Sequence, residues 1–333
     1  MSEYRICLLP GDGIGPEVIS QAARLLLALG LNCSFDRGEI GYGAYQKLGT
    51  PLPDETLEKI RAADANLFGA VTTPPDIAGY FSPIIRLRQS FDLYANIRPC
   101  QSLPFAGSRP GIDLVVVREN TEDLYSGIER VEDGGNRAIS EMVITRKASE
   151  KIIRKAFDLA ESSGFKKVTV VHKANVLRET CGLFRKVALE IAPQFPNIVM
   201  EEMLVDTCAM ELVRAPEQFE VIVTTNLFGD ILSDEASMLV GGLGVAYSGN
   251  IGAGAAVFEP VHGSAPKLAG LHKANPVAAI LSAGLMLEYL GKAALAARLR
   301  RAVLESVRLG QTTEDLGGSL TTEQATDAVI KNF

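Results

Sequence analysis

The chain has 333 residues, 47% hydrophobic and 22% charged, with a formal net charge of −7. At ~150 residues per domain this is about two domains, and the apolar share with only 31 Gly and 16 Pro excludes disordered and collagen-like classes. The acidic balance argues against nucleic acid as the main partner.

Five cysteines (Cys7, Cys33, Cys100, Cys181, Cys208) are odd in number, far apart and without a CxxC pair. They support neither a disulfide framework nor a cysteine zinc site, and a reducing cytoplasm fits them best. No basic-then-apolar leader precedes the first glycine loop, so no secretory signal is expected. The most apolar stretch, Pro276 to Leu287, is far short of the ~20 residues a membrane helix needs.

Apolar runs of strand length alternate with longer helical patterns. Arg5-Ile6-Cys7-Leu8-Leu9 reads as a strand, then a glycine loop, then a helix opened by Pro16 with apolar spacing through Val18, Ala22, Leu25 and Leu26. Further buried-strand candidates are Ala65 to Phe68, Leu114 to Val117, Val168 to Val171 and Val221 to Thr225. Ser149 to Ser162 and Pro276 to Leu290 read as helices. This alternation predicts an α/β architecture with a largely parallel sheet. No repeat or linker is visible, and Gln101 to Gly111, with its prolines and glycines, is the best candidate for a crossing between lobes.

Gly11-Asp12-Gly13-Ile14-Gly15 is a poor dinucleotide fingerprint, because GxGxxG needs its third glycine where Pro16 stands. A tight turn from strand to helix is the simpler reading. Asp230 and Asp234 carry more, since i, i+4 spacing on a helix after the short loop Asn226-Leu227-Phe228-Gly229 puts both carboxylates on one face. Two such anions call for a cation, and oxygen-only ligation favours Mg²⁺ or Mn²⁺, with Asp206 as a third candidate ligand. The alternative is a helix cap at Asp230 and a solvated Asp234.

Arg88, Arg98 and Arg118 lie beside apolar or aromatic residues, where a guanidinium needs a carboxylate or phosphate. Internal partners are available in Asp92, Glu119 and Glu122; with a metal site, a polyanionic small substrate is the better account. Lys173, just after a strand, is a candidate general base. Tyr125 is a candidate proton donor or a core phenol. No histidine has metal-ligand pairing.

Assembled, these pieces resemble the β-decarboxylating dehydrogenases, a family of isocitrate, 3-isopropylmalate, homoisocitrate and tartrate dehydrogenases. The likeness runs along the chain through Gly11 to Glu17, Phe91 to Pro99, Arg118 to Glu122, His172-Lys173-Ala174-Asn175, Asn226 to Asp234 and Glu259 to Pro266. It implies an isocitrate/isopropylmalate dehydrogenase-like two-domain α/β fold with a large mixed sheet, not a Rossmann fold. The large, cofactor-binding domain would comprise residues 1–100 and 253–333, and residues 101–252 would form the small domain with the metal ligands and dimer interface. The cofactor would sit against Glu259, His262, Gly263, Ser264, Ala265, Lys267 and Asn275, with Thr72. The resemblance further implies a homodimer, or a tetramer built on it, whose sites are shared, with Lys173, Asn175 and Asp206 entering from the partner.

Implied chemistry follows. Asp206, Asp230 and Asp234 would hold Mg²⁺ or Mn²⁺, Lys173 would take the hydroxyl proton as hydride leaves, and Tyr125 would protonate the carbon left by CO₂. Arg88, Arg98 and Arg118 would bind a malate core, and Ser82 with its neighbours would read the third substituent. Ser82-Pro83-Ile84 with Leu87-Arg88, and Glu119 to Tyr125, look most like homoisocitrate dehydrogenases. Homoisocitrate to 2-oxoadipate, a step of lysine biosynthesis, is therefore the first choice, with isocitrate or dual activity second and 3-isopropylmalate behind. Lys267 is an NADP-like residue, but Leu268, Ala274 and the absence of arginine from Ser319 to Thr326 leave NAD ahead. A noncatalytic regulatory subunit is the reading from another class; Tyr125, Lys173 and all three aspartates argue against it.

Overall fold

A computed structural model describes residues 3–74, 76–77 and 80–333. Among these, twelve strands follow in chain order. They are β1 Tyr4–Gly11, β2 Cys33–Arg37, β3 Ala65–Ala70, β4 Ala95–Gln101, β5 Asp113–Glu119 and β6 Glu129–Glu132. Then come β7 Arg137–Ser140, β8 Lys167–His172, β9 Val199–Leu204, β10 Val221–Thr224, β11 Tyr247–Ile251 and β12 Ala256–Pro260.

The chain divides into two compact units. One runs to Phe91 and includes Ser102–Pro110 and Ser237–Phe333; the other comprises Asp92–Gln101 and Gly111–Ala236. Both chain ends thus share a unit, but the boundaries differ from 100/101 and 252/253. Backbone pairing gives the reason. β4 is antiparallel to β5 from Ala95 through Gln101, which ties residues 92–101 to the middle of the chain. β11 is antiparallel to β12, which ties it to the C-terminal part.

In the first unit the strands order β2-β1-β3-β12-β11, parallel except for the β11–β12 pair. In the second they order β4-β5-β10-β8-β9, parallel except for β4–β5, and β6 and β7 form a separate antiparallel pair. The architecture is α/β with mixed sheet, as expected. β3 and β10 are buried along their whole length, the pattern of strands covered on both faces.

Helix Val277–Tyr289 is apolar nearly all round and buried from Val277 to Gly284, as a helix inside a core must be. Helix Arg146–Ser163 buries one stripe (Ile152, Ile153, Ala156, Phe157, Ala160), starts at a Thr145 side-chain cap and stops at Gly164, φ +80°.

The glycine loop has a backbone explanation. Gly11 (φ +73°) and Gly13 (φ +59°) take left-handed conformations, and a Cβ at either would run into the carbonyl oxygens of Ala70 and Ser264 respectively. These glycines serve close main-chain approach, as a tight turn from strand to helix requires. No helix among the described residues is long and apolar enough to cross a membrane.

Candidate active site

β4 and β5 deliver two buried arginines to one helix. Arg118, 1% exposed, donates from Nε to Asn226 O and Oδ1 at 3.0 Å, and from Nη1 to Asp230 Oδ1. Arg98 donates to Asn96 Oδ1 at 2.5 Å, Ser233 Oγ at 2.7 Å, Asp230 Oδ1 at 3.1 Å and Asp234 Oδ1 at 3.2 Å. The partners foreseen for these arginines are engaged elsewhere. Asp92 pairs with Lys151 at 2.5 Å, Glu119 accepts from Thr121, and Glu122 accepts from Thr145.

The helix itself runs Asn226–Met238, so Asn226 to Gly229, read as a loop, is its first turn. Asp230 therefore lies one turn inside the helix and does not cap it. The capping acceptor is non-local: buried Asp123 Oδ2 takes the Leu227 N–H at 3.0 Å. No local sequence signal announces such a start.

Tyr125, in the short 3₁₀ turn Leu124–Ser126, donates its hydroxyl to Asp230 Oδ2 at 2.7 Å, and Arg118 lies over its ring at 5.1 Å. Burial first, and the Asp230 bond second, hold the phenol above its ordinary value near 10. Burial also raises the Asp234 carboxyl, with Arg98 opposing and Asp230 adding to the rise. The structure thus brings together Arg98, Arg118, Tyr125, Asp230 and Asp234.

Lys173 and Asp206 form a separate pair. Lys173 follows β8, Asp206 stands in the first turn of helix Val205–Arg214, and Nζ meets Oδ1 at 2.5 Å. The lysine bond holds the Asp206 carboxyl below its usual range. Asn175 nearby in sequence is exposed. Among the described residues no three acidic, His or Cys side chains are grouped to hold a metal within one chain. Asp206 does not join Asp230 and Asp234.

In the first unit, Arg88 is buried on helix Pro83–Ser90, flanked by half-buried Ser82. Its Nη2 lies 3.5 Å from Glu259 Oε1, while its buried Nε has no partner. Glu259 accepts from Asn250 at 2.6 Å and faces Arg88. Thr72 Oγ1 and Ser264 Oγ share a 2.7 Å bond, and Asp12 Oδ2 accepts the Thr72 N–H at 2.8 Å.

His262, Ala265 and Asn275 line a cavity of about 430 Å³ with Ile14, Leu268 and Asp315. His262 Nε2 is buried and unpartnered there, and burial pushes its pKa down. Gly263 and Lys267 are exposed on the same segment. Ile14 and Asp315 were not foreseen. Asp315 accepts from Asn275 Nδ2 at 2.8 Å across 40 residues of sequence, which no spacing rule exposes.

The family model for isocitrate/isopropylmalate dehydrogenase matches residues 5–329. The chain belongs to this family. An isocitrate/homoisocitrate dehydrogenase of Thermus thermophilus is 53% identical over 329 residues, 98% of each chain. A 3-isopropylmalate dehydrogenase of Methanothermobacter thermautotrophicus is 46% identical over 335 residues, 100% of this chain and 99% of its own. Among solved structures, isocitrate dehydrogenase from Methylococcus capsulatus superposes with a TM-score of 0.95 at 46% identity, covering 99% of both chains. The family's chemistry is the oxidative decarboxylation of hydroxy acids by dehydrogenases.

The donor set fits a hard divalent cation: Asp230 and Asp234 offer oxygen ligands four residues apart, and the Asp230 charge disfavours that of Asp234. The cavity at His262 fits a cofactor by size and by its orphaned ring nitrogen.

One neighbour of the site carries a pH prediction. Half-buried Glu122 accepts the Thr145 N–H and hydroxyl at 2.8 Å each, yet burial, aided by Glu119 and Asp123, pushes its pKa up to about 7. A carboxyl raised above its unfolded value of 4.5 stabilises below that value and loses its contribution as pH rises through about 7. Glu122→Gln removes the loss, so its Tm relative to wild type rises between about pH 5 and about pH 8. Melting curves at both pH values check this; a Tm difference independent of pH contradicts it.

Proposed function

We propose that this chain oxidatively decarboxylates homoisocitrate to 2-oxoadipate with NAD and Mg²⁺ or Mn²⁺, and accepts isocitrate as a second substrate. The observation that carries the reading is the single cluster of Arg98, Arg118, Asp230, Asp234 and Tyr125, which unites anion binding, divalent-ion ligation and a protonated phenol. The substrate choice is supported by the Ser82-Pro83-Ile84 and Glu119 to Tyr125 segments and by the Thermus relative.

Asp230 and Asp234 would hold the cation together with Asp206 of the partner subunit, and the bound ion would supply Lewis-acid charge to the substrate's oxygens. Arg88, Arg98 and Arg118 take the carboxylates; the unpartnered Nε of Arg88 is a donor awaiting such an acceptor. Lys173 of the partner subunit would accept the hydroxyl proton, directly or through water, and a bound nicotinamide would supply the hydride acceptor. Tyr125 then gives its phenolic proton to the carbon that carried the lost carboxylate. Burial and the Asp230 bond keep that proton in place until then.

Shared sites require a dimer, and the helices that carry Asp206 and Asp230 offer apolar surface for one. Met210 and Val213 on the first, and Ile231 and Met238 on the second, are 56–67% exposed, more than isolated surface residues need.

Homoisocitrate exceeds isocitrate by one methylene, which discriminates by only about 1–3 kcal/mol, so both should turn over. Comparing kcat/KM on homoisocitrate, isocitrate and 3-isopropylmalate tests the substrate; dominant 3-isopropylmalate activity overturns it. For the cofactor, Lys267 is the one NADP-like feature. Lys267→Asp should raise the ratio of NADP to NAD dissociation constants by roughly tenfold or more, the size of a charge-assisted bond. Fluorescence titration of both nucleotides measures it, and an unchanged ratio removes Lys267 from the choice.

A further inference from the structure

Asp123, two residues before Tyr125, is fully buried at 0% exposure. Its backbone takes φ +70° and ψ −146°, a region that glycine enters freely and that strains any residue with a Cβ. The strain is offset only if the side chain does something glycine could not. Both of its oxygens do. Oδ1 accepts the Leu124 N–H at 2.8 Å, and Oδ2 accepts the Leu227 N–H at 3.0 Å.

Leu227 is the second residue of helix Asn226–Met238. The carboxylate therefore fills a donor that a helix start leaves open, and lies at the positive end of the helix. One further bond joins the same segments, Asn226 Nδ2 donating to Glu122 O at 3.2 Å, while the Asp123 N–H anchors the turn to Val143 O at 2.8 Å. One oxygen of Asp123 thus grips the turn that bears Tyr125, and the other grips the helix that bears Asp230.

We infer that Asp123 is a positioning residue for the proton donor, locking the Tyr125 turn onto the helix so that the phenol meets Asp230 Oδ2. The inference rests on the reading of Tyr125 as that donor. Asp123 transfers no proton itself; it acts through Tyr125.

The test is Asp123→Gly and Asp123→Asn, each in the wild-type and the Tyr125→Phe backgrounds, on the metal-loaded full-length enzyme. Glycine accepts the backbone angles and abolishes both side-chain bonds; asparagine keeps one acceptor oxygen. Asp123→Gly should lower kcat by about tenfold or more while KM moves by less than about threefold. Asp123→Asn should recover part of that loss. In the Tyr125→Phe background the same substitution should cost less than about twofold, because the group it positions is gone. Hydrogen exchange at the Leu227 amide should rise in Asp123→Gly.

Equal losses in both backgrounds would reduce Asp123 to a helix cap with a structural role, and so would faster exchange at Leu227 with unchanged kcat. If Asp123→Gly shows no cooperative melt, Asp123→Asn carries the same comparison and can overturn the inference alone. Wild-type turnover by Tyr125→Phe would defeat the proton-donor reading itself. A dead Tyr125→Phe beside a fully active Asp123→Gly would defeat only the positioning role.

Discussion

Tyr125→Phe lowers kcat by about 10²–10⁴-fold, the worth of a positioned proton transfer, and leaves KM for the hydroxy acid nearly unchanged. The phenol oxygen is the only atom removed, and with it goes the bond to Asp230 Oδ2 at 2.7 Å. Phenylalanine keeps the ring under the Arg118 guanidinium, so Arg98, Arg118, Asp230 and Asp234, the proposed substrate and metal binders, stay in place. On the proposed mechanism, oxidation and loss of CO₂ precede the step that needs this proton. Single-turnover traces should therefore show the nicotinamide reduced faster than the final keto acid appears. A kcat within a factor of ~10 of wild type means that another group donates the proton.

Lys173→Met has the second large effect. The methionine matches the stem of lysine but cannot accept the hydroxyl proton, so hydride transfer itself should slow by about 10²–10⁴-fold. The two variants then differ in which step fails: reduction of the nicotinamide is lost with Lys173→Met and retained for the first turnover with Tyr125→Phe. Stopped-flow absorbance of the reduced cofactor separates them. A normal first-turnover rate in Lys173→Met contradicts its role as the base. Asp206 loses its lysine bond in this variant, so its carboxyl, now held below the ordinary range by that bond, returns toward it.

Much of the chemistry was legible because it lies in residue types at fixed spacing. Asp230 and Asp234 are four apart on one helix in the structure as in the sequence, and Arg98 and Arg118 were marked by charge beside buried strands. What spacing could not show is pairing over distance. The first helical turn from Asn226 was hidden because its cap, Asp123, is more than a hundred residues away. The place of Glu259 in a motif does not show that strand β12 sets it beside Arg88 and Asn250. The two compact units meet at 91/92, 101/102, 110/111 and 236/237 rather than at 100/101 and 252/253, and the strand pairing that ties β4 to β5 and β11 to β12 has no local signature. Asp315 joined the cavity at His262 through a hydrogen bond to Asn275 that the sequence does not mark.

Within one chain the proposed reacting groups fall into two sets: Tyr125 with Asp230 and Asp234, and Lys173 with Asp206. On the proposed mechanism, one complete site takes the first set from one chain and the second from its partner. Hybrid dimers of Tyr125→Phe and Lys173→Met chains test this directly. A shared site predicts that each hybrid has one site with both defects and one with neither. Two inactive proteins, refolded or co-expressed together, should then regain about a quarter of wild-type activity if the dimers form at random. If both sets act within one chain, every site in the mixture carries a defect, and no activity returns.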